Sequence, residues 1–256
     1  MNLENVKNQI TEWLLNKLKE SGCNGFVVGV SGGIDSAVTS TLCAATGAPT
    51  LLLNMPINQE AGQYNRSNEH IENLSVLPNV HSRVVDLTNT YKAFVSALGE
   101  LTDLSRANLQ SRIRMCVLYA EANNYNHLVA GTGNKVEDYG IGFFTKYGDG
   151  GVDVSPIADL LKSEVYALGR HLGVAESILV AKPTDGLWDD DRGDEDQIGA
   201  TYDELEWALD FYDNGDPEDT ITPRQGEVLE IYTHRHKTTK HKLEAPPVCY
   251  INREGE

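Results

Sequence analysis

Eight consecutive residues, Gly29-Val30-Ser31-Gly32-Gly33-Ile34-Asp35-Ser36, combine the groups needed to hold a polyphosphate. Two adjacent glycines let the backbone turn tightly and bring its N–H groups against phosphate oxygens. Ser31 and Ser36 add hydroxyl donors, and a helix starting here would aim its positive end at the same anion. No Gly-Lys-Ser/Thr ending follows, so the loop lacks the cation that commonly rests on the β- and γ-phosphates during γ-transfer. Asp35 puts a carboxylate beside the phosphates instead, which makes chemical sense only if a divalent cation bridges them. The plainer description is a glycine turn with Asp35 capping a helix. The full Ser-Gly-Gly-x-Asp-Ser pattern after an apolar strand favours the phosphate cradle.

Other residues carry chemistry further along. Lys162 opens a predicted helix, a poor place for a cation on dipole grounds unless an anion sits there too. The tail at 234–242 holds two His-Lys pairs, His236-Lys237 and His241-Lys242. In an acidic chain these fit a phosphate-facing tail better than a metal or nucleic-acid site. Three consecutive carboxylates, Asp189-Asp190-Asp191, point in different directions and lack the alternating spacing of a calcium loop. They read as part of a solvated lid.

The elements that must position these residues follow from periodicity. Leu3, Val6, Ile10, Trp13, Leu14 and Leu18 fall at helical spacing, and Trp13 and Trp207 are expected in a core or an interface. Apolar runs of strand length at 26–30, 50–53, 80–85 and 128–130 alternate with helical stretches at 35–46, 64–76, 88–98 and 106–123. Strands alternating with helices imply an α/β fold: a parallel sheet flanked by helices on both faces, with ligands beyond the carboxyl ends of the strands. After 131 a glycine-rich stretch leads to helices at 162–172, 202–212 and 223–235. Between them, residues 184–197 are polar and acidic, with Gly186 and Gly193 as breaks, and read as a mobile loop in which Trp188 could cover a ligand. No repeat or linker divides the 256 residues, so one domain over 1–256 is expected, ending in a basic tail at 234–247.

Composition limits the partners. With 21 Lys and Arg against 38 Asp and Glu, the net charge is −17, which offers no electrostatic footprint for nucleic acid or an anionic membrane. Apolar residues make up 40% of the chain, enough to bury a core. The four cysteines form no CxxC pair and read as free thiols. No signal peptide or transmembrane run is present, which points to the cytoplasm.

The Ser-Gly-Gly-x-Asp-Ser cradle resembles that of the PP-loop ATP pyrophosphatases, a Rossmann-like superfamily that splits ATP between the α- and β-phosphates. Further motifs narrow the likeness: Asn108-Leu109-Gln110-Ser111-Arg112-Ile113-Arg114-Met115, Gly131-Thr132-Gly133-Asn134-Lys135-Val136-Glu137, Thr145-Lys146-Tyr147-Gly148-Asp149-Gly150-Gly151, Asp159-Leu160-Leu161-Lys162 and Pro183-Thr184-Asp185-Gly186. Together these look like the NAD+ synthetase family, from about residue 25 to 247. The resemblance implies adenylylation of the nicotinate carboxylate of nicotinic acid adenine dinucleotide (deamido-NAD) by ATP. Ammonia then displaces AMP to give NAD+. Since the chain opens with one helix before the cradle, no room for a glutaminase domain is expected, and ammonia would arrive free or from another protein.

The resemblance also implies roles by residue. It carries Gly29 to Ser36, Thr132, Lys162 and Thr184 to ATP. Arg112, Lys146, Asp153, His241 and Lys242 go to deamido-NAD, and Asp35 with Glu137 to Mg2+. Between Gly131 and Thr145 the chain is one residue longer than many relatives, so matching from the right would choose Asp138 over Glu137. Asp149 matches the family's candidate for taking a proton from ammonium; its plainer role is to fix the Gly-Asp-Gly-Gly turn. A homodimer sharing the deamido-NAD site is the family's usual state.

Overall fold

In the computed structural model, residues 1–184, 186, 193–216 and 218–252 are described. Trp188 and the Asp189-Asp190-Asp191 run lie outside them. Helix α1 (Leu3–Ser21) begins at Asn2, whose side chain accepts from the Asn5 N–H at 3.1 Å, and ends at Gly22 in the left-handed region. Leu14 and Leu18 reach the core, whereas Trp13 stays 38% exposed with the Lys17 ammonium over its ring, so of the two expected places, core or interface, it does not take the core.

Four parallel strands follow: β1 (Gly25–Gly29), β2 (Thr50–Asn54), β3 (Val80–Val84) and β4 (His127–Val129), in the order β3-β2-β1-β4. The reversal of direction from β1, to β2 on one side and to β4 on the other, opens a crevice at the carboxyl end of β1. Helices α2 (Ile34–Ala45), α3 (Ala61–Leu74), α4 (Thr88–Leu98) and α5 (Asp103–Tyr125) make the connections.

Strand alternation divides the core. Phe26, Val28 and Leu52 pack with Leu14, Val38 and Leu42 of α1 and α2. Val27, Leu51 and Leu53 point the other way, against Ile113 and Ala122 of α5. Each such apolar side chain contributes roughly 1.5–3 kcal/mol on burial. Coverage of both faces therefore holds at β1 and β2 but not at β3, where only Val80 is buried and α4 buries no residue at all.

A smaller second core lies beyond the sheet. Helices α9 (Tyr202–Asn214) and α10 (Pro223–Leu243) pack Leu205, Leu209, Val228 and Tyr232 around Val136 and Ile141. Trp207 packs against this cluster, as its helical spacing predicts. Three features depart from the sequence reading. The basic segment is no extended tail: α10 runs unbroken to Leu243, started by a Thr222–Gln225 capping box and Pro223 at its first turn. The expected mobile loop ends in a short helix, α8 (Asp194–Ile198), with Asp194 buried. Lys135–Gly140 forms a π-helix, closed by an Ile141 N–H to Val136 carbonyl bond of 3.1 Å, where the sequence predicts no helix. Helices α6 (Lys162–His171) and α7 (Glu176–Leu179) complete the layer beside α2. No helix among the described residues is long and apolar enough to cross a membrane.

Candidate active site

β1 delivers the chain to Gly29, and α2 starts at Gly33, so the cradle is the turn between a buried strand and a helix N-terminus. Gly32 takes φ +89°, and a Cβ there would fall 2.5 Å from the Gln63 carbonyl oxygen, which explains the glycine on both counts. The Ser36 hydroxyl donates to the Gly33 carbonyl at 3.0 Å and accepts from the Ser31 N–H at 3.2 Å. Ser31 Oγ lies 3.1 Å from Ser36 Oγ and accepts from the Gly33 N–H. Residues 29–36 all line a cavity of about 610 Å3, together with Thr132, Thr184 and Lys162, so every residue expected at ATP borders one space.

One corner of that cavity holds a buried charge cluster. Lys162, 3% exposed, donates to Asp35 Oδ2 at 2.6 Å and to Glu137 Oε1 at 2.8 Å, and it stands 4.9 Å above the Tyr202 ring. Burial alone would lower the Lys162 pKa; the two carboxylates overcome this and raise it, so the ammonium stays charged. Asn134 Nδ2 donates to the other Asp35 oxygen at 3.1 Å, while its Oδ1 caps the π-helix at Val136 and Glu137. The Tyr202 hydroxyl donates to Glu137 and lies 3.3 Å from Asp194 Oδ2. Glu137, not Asp138, thus shares the lysine with Asp35, while Asp138 lies against Gly133, where a Cβ would sit 1.9 Å from its Oδ2. Among the described residues no three His, Cys, Asp or Glu side chains gather as a metal cluster. Two carboxylates beside a phosphate cradle are nonetheless the donor set that suits magnesium, which binds through one or two carboxylates plus substrate phosphates and waters.

The opposite wall comes from α5 and the Gly-Asp-Gly-Gly turn. Asp149 Oδ1 accepts from Ser111 Oγ at 2.5 Å and from the Thr145 N–H at 3.1 Å, and Ser111 Oγ accepts the Asp149 N–H. Burial pushes the Asp149 pKa up against the pull of these hydrogen bonds. Asp149 both ties the turn and borders the cavity.

The residues expected at deamido-NAD divide. Lys242 lines the cavity, its ammonium donating to the Gly142 and Phe144 carbonyls at 2.7 and 2.8 Å. Arg112, Lys146 and His241 meet outside it: Arg112 Nε donates to the Lys146 carbonyl at 3.2 Å, and the Lys146 ammonium to the His241 carbonyl. Asp153 accepts from the Val129 N–H at 2.8 Å and the Tyr119 hydroxyl at 3.0 Å, bracing the end of β4. Of the other His-Lys pair, His236 bonds the Gly140 carbonyl at 2.7 Å and Lys237 is exposed. Sequence reasoning gave no role to Asn134, Tyr202, Asp194, Arg114 or Arg235, although Asn134 and Arg114 lie within its motifs. Arg235 lies at the end of the helix predicted over 223–235, but nothing local pointed it to the cavity; the packing of α10 brings it there.

The sequence pattern of the NAD synthase family matches residues 6–246. The chain belongs to that family. As an NAD synthase family member it is an enzyme of the ligase type, built on the Rossmann-like PP-loop fold. An NH(3)-dependent NAD(+) synthetase of Methanosarcina mazei is 36% identical over 97% of this chain and 98% of its own length. Among solved structures, an NMN synthetase from Francisella tularensis is similar with a TM-score of 0.87 and 33% identity, over 98% of this chain and 100% of that one. An NH3-dependent NAD synthetase from Campylobacter jejuni gives 0.81 and 26% over 98% and 100%.

Proposed function

We propose that the chain amidates deamido-NAD with ammonia, using ATP, through an adenylylated intermediate with release of AMP and pyrophosphate. The observation that carries this reading is a single cavity that runs from a lysine-free phosphate cradle, past two carboxylates, to the turn bearing Asp149. The cradle N–H groups, Ser31, Ser36, Thr132 and Thr184 hold ATP. Asp35 and Glu137 would hold Mg2+, which when bound would supply charge neutralisation for the phosphates. Lys162 borders the same space and supplies a cation to the phosphates. The acceptor carboxylate forms its bond to the α-phosphorus as the bond to pyrophosphate breaks. Ammonia then forms the C–N bond, AMP leaves, and Asp149 takes the proton. Arg112, Lys146, Asp153, His241 and Lys242 receive the dinucleotide.

Only Lys242 of that last set borders the cavity of one chain, which supports a site completed by a second copy. The bare edge of β3 with its exposed Val84, and the exposed Phe94 and Leu98 of α4, support a homodimer. The test is purified protein with ATP, Mg2+, ammonium and deamido-NAD. NAD+, AMP and pyrophosphate in equal amounts are expected without glutamine, from a species of twice the chain mass. Absence of ATP cleavage would refute the reaction. The likeness to an NMN synthetase favours one alternative, a mononucleotide acceptor, so nicotinate mononucleotide belongs in the same assay. A higher kcat/KM for it would reassign the substrate.

A further inference from the structure

Two arginines of α5 stand two positions apart, and the helix sends them to opposite sides. Leu104, Ala107, Asn108, Ser111, Met115 and Leu118 recur at helical spacing along the cavity wall. Arg114 belongs to that wall; Arg112 does not. The Arg114 Nε–H donates to the Met55 carbonyl at 3.0 Å, just past the end of β2. Among the described residues no carboxylate forms an ion pair with its guanidinium, and Asp149 is near enough only to act through its field. Partial burial lowers the Arg114 pKa to about 10, still far above neutrality, so the group is charged and held by one neutral carbonyl.

Such a charge is costly to keep without an anionic partner. Its location narrows the anion. On one side Met55 approaches the cradle, its Cε 3.2 Å from where a Gly29 Cβ would be. On the other, Ser111, one helical turn before Arg114, holds Asp149. In the reaction proposed above, the acceptor carboxylate and the α-phosphate would meet between cradle and turn. We infer that Arg114 is a further catalytic residue, its free guanidinium nitrogens donating to the reacting anion, either the α-phosphate of ATP or the carboxylate of the acceptor. This rests on the reaction proposed above. Arg114 donates hydrogen bonds and no proton: the carboxylate oxygen bonds phosphorus, pyrophosphate departs with its electron pair, and the guanidinium remains cationic throughout.

Arg114→Met and Arg114→Lys, beside the wild type, test this in three measurements. The first is melting without ligand; the second is binding of α,β-methylene-ATP with Mg2+ and, separately, of deamido-NAD; the third is the single-turnover rate of AMP formation. Arg114→Met is expected to melt no lower than the wild type, since it deletes an unneutralised charge. Its adenylylation should slow about 100-fold or more, with Arg114→Lys recovering part of the loss. Roughly tenfold weaker binding of the ATP analogue alone identifies the α-phosphate as partner; the same loss for deamido-NAD alone identifies the carboxylate. A rate loss with both affinities intact also supports the role, as a contact made in the transition state. Binding and rate within about threefold of wild type would overturn it, as would lowered melting in both variants with rate falling only as folded protein is lost. Should the wild type cleave no ATP with any pyridine acceptor, the reaction itself fails; unchanged binding of both ligands by Arg114→Met would then count separately against Arg114.

Discussion

The two ends of the cavity treat charge in opposite ways. At one end Asp35 and Glu137 share Lys162, and Asn134 and Tyr202 fill out the remaining bonds. At the other, Arg114, Arg235 and Lys242 are held by the carbonyls of Met55, Gln197, Gly142 and Phe144. A carbonyl orients a cation without cancelling it. The first end has completed its own pairing, and a ligand must displace a lysine to enter. The second sets three cations against the field of Asp149 with no ion pair made among the described residues, inside a chain of net charge −17, and can receive an anion. The lysine marks where a divalent cation is expected, and the carbonyl-held cations mark where negative groups are.

The strongest test of the first end is Asp35→Asn. The amide keeps the shape and a hydrogen bond to Asn134 but withdraws one of the two carboxylates. Pyrophosphate release should fall by about 1,000-fold or more with the fold unchanged, as read by circular dichroism and a pyrophosphate assay. Near-normal turnover would remove Asp35 from the metal site and dissolve the distinction between the two ends.

Lys162→Met separates the ends by stability rather than rate. It leaves two buried carboxylates without their shared partner, a change that typically costs about 3–5 kcal/mol. Urea unfolding should show that loss in the free protein, and millimolar Mg2+ should restore part of it by taking the lysine's place. At the second end Arg114→Met should show no loss. Equal losses at both would mean that the carbonyl-held cations are structural after all.

A third arrangement, on the far side of α2, avoids charge altogether. His70 is 2% exposed, its Nε2 2.8 Å from Ser40 Oγ. Burial pushes its pKa from 6.5 to about 4. Between those values the unfolded chain binds the proton and the folded chain does not. The His70 contribution is therefore fully present above pH 6.5 and lost as pH falls toward 4, by up to about 3 kcal/mol. His70→Gln should flatten that part of the stability profile in urea melts from pH 7 to 4.5. An unchanged slope would put the acid sensitivity in other groups.

How far each end could be read from the sequence follows the same division. The cradle, Asp35 and the strands that present them are local: a glycine pair, a strand before it and a helix after it lie within a dozen residues. Glu137 was reachable from an unbroken motif, although the π-helix that seats it was not, because its i to i+5 bonding leaves no apolar period. Lys162 stood out through its conflict with the helix dipole, yet nothing local tied it to Asp35, 127 positions away. The anion-facing end was harder. Arg112 and Arg114 are equivalent as letters, and only the rotation of α5 against the sheet turns one outward and the other inward. Lys242 reaches the cavity because α10 continues past 235 through a segment whose polar character concealed the helix, and Arg235 because of how α10 packs.

The smallest expected effect comes from an ion pair left in water. Arg224 on α10 grips Glu204 with Nε to Oε1 at 2.7 Å and Nη2 to Oε2 at 2.8 Å, and also bonds the Gly199 carbonyl. These bonds hold the Glu204 pKa down at about 2, the sign of a pair that favours the folded state above pH 4.5 and fades as pH falls toward 2. The geometry rivals that of the buried lysine, but the side chains are 49% and 30% exposed, so solvent screens most of the attraction. Arg224→Ala should lower the melting temperature by no more than about 4 °C. Half-molar salt should shrink that difference while leaving the Lys162→Met loss nearly untouched. If Arg224→Ala matched Lys162→Met, hydrogen-bond geometry rather than burial would govern the strength of these pairs. The lysine at the cradle would then be an ordinary salt bridge, not a stand-in for a metal ion.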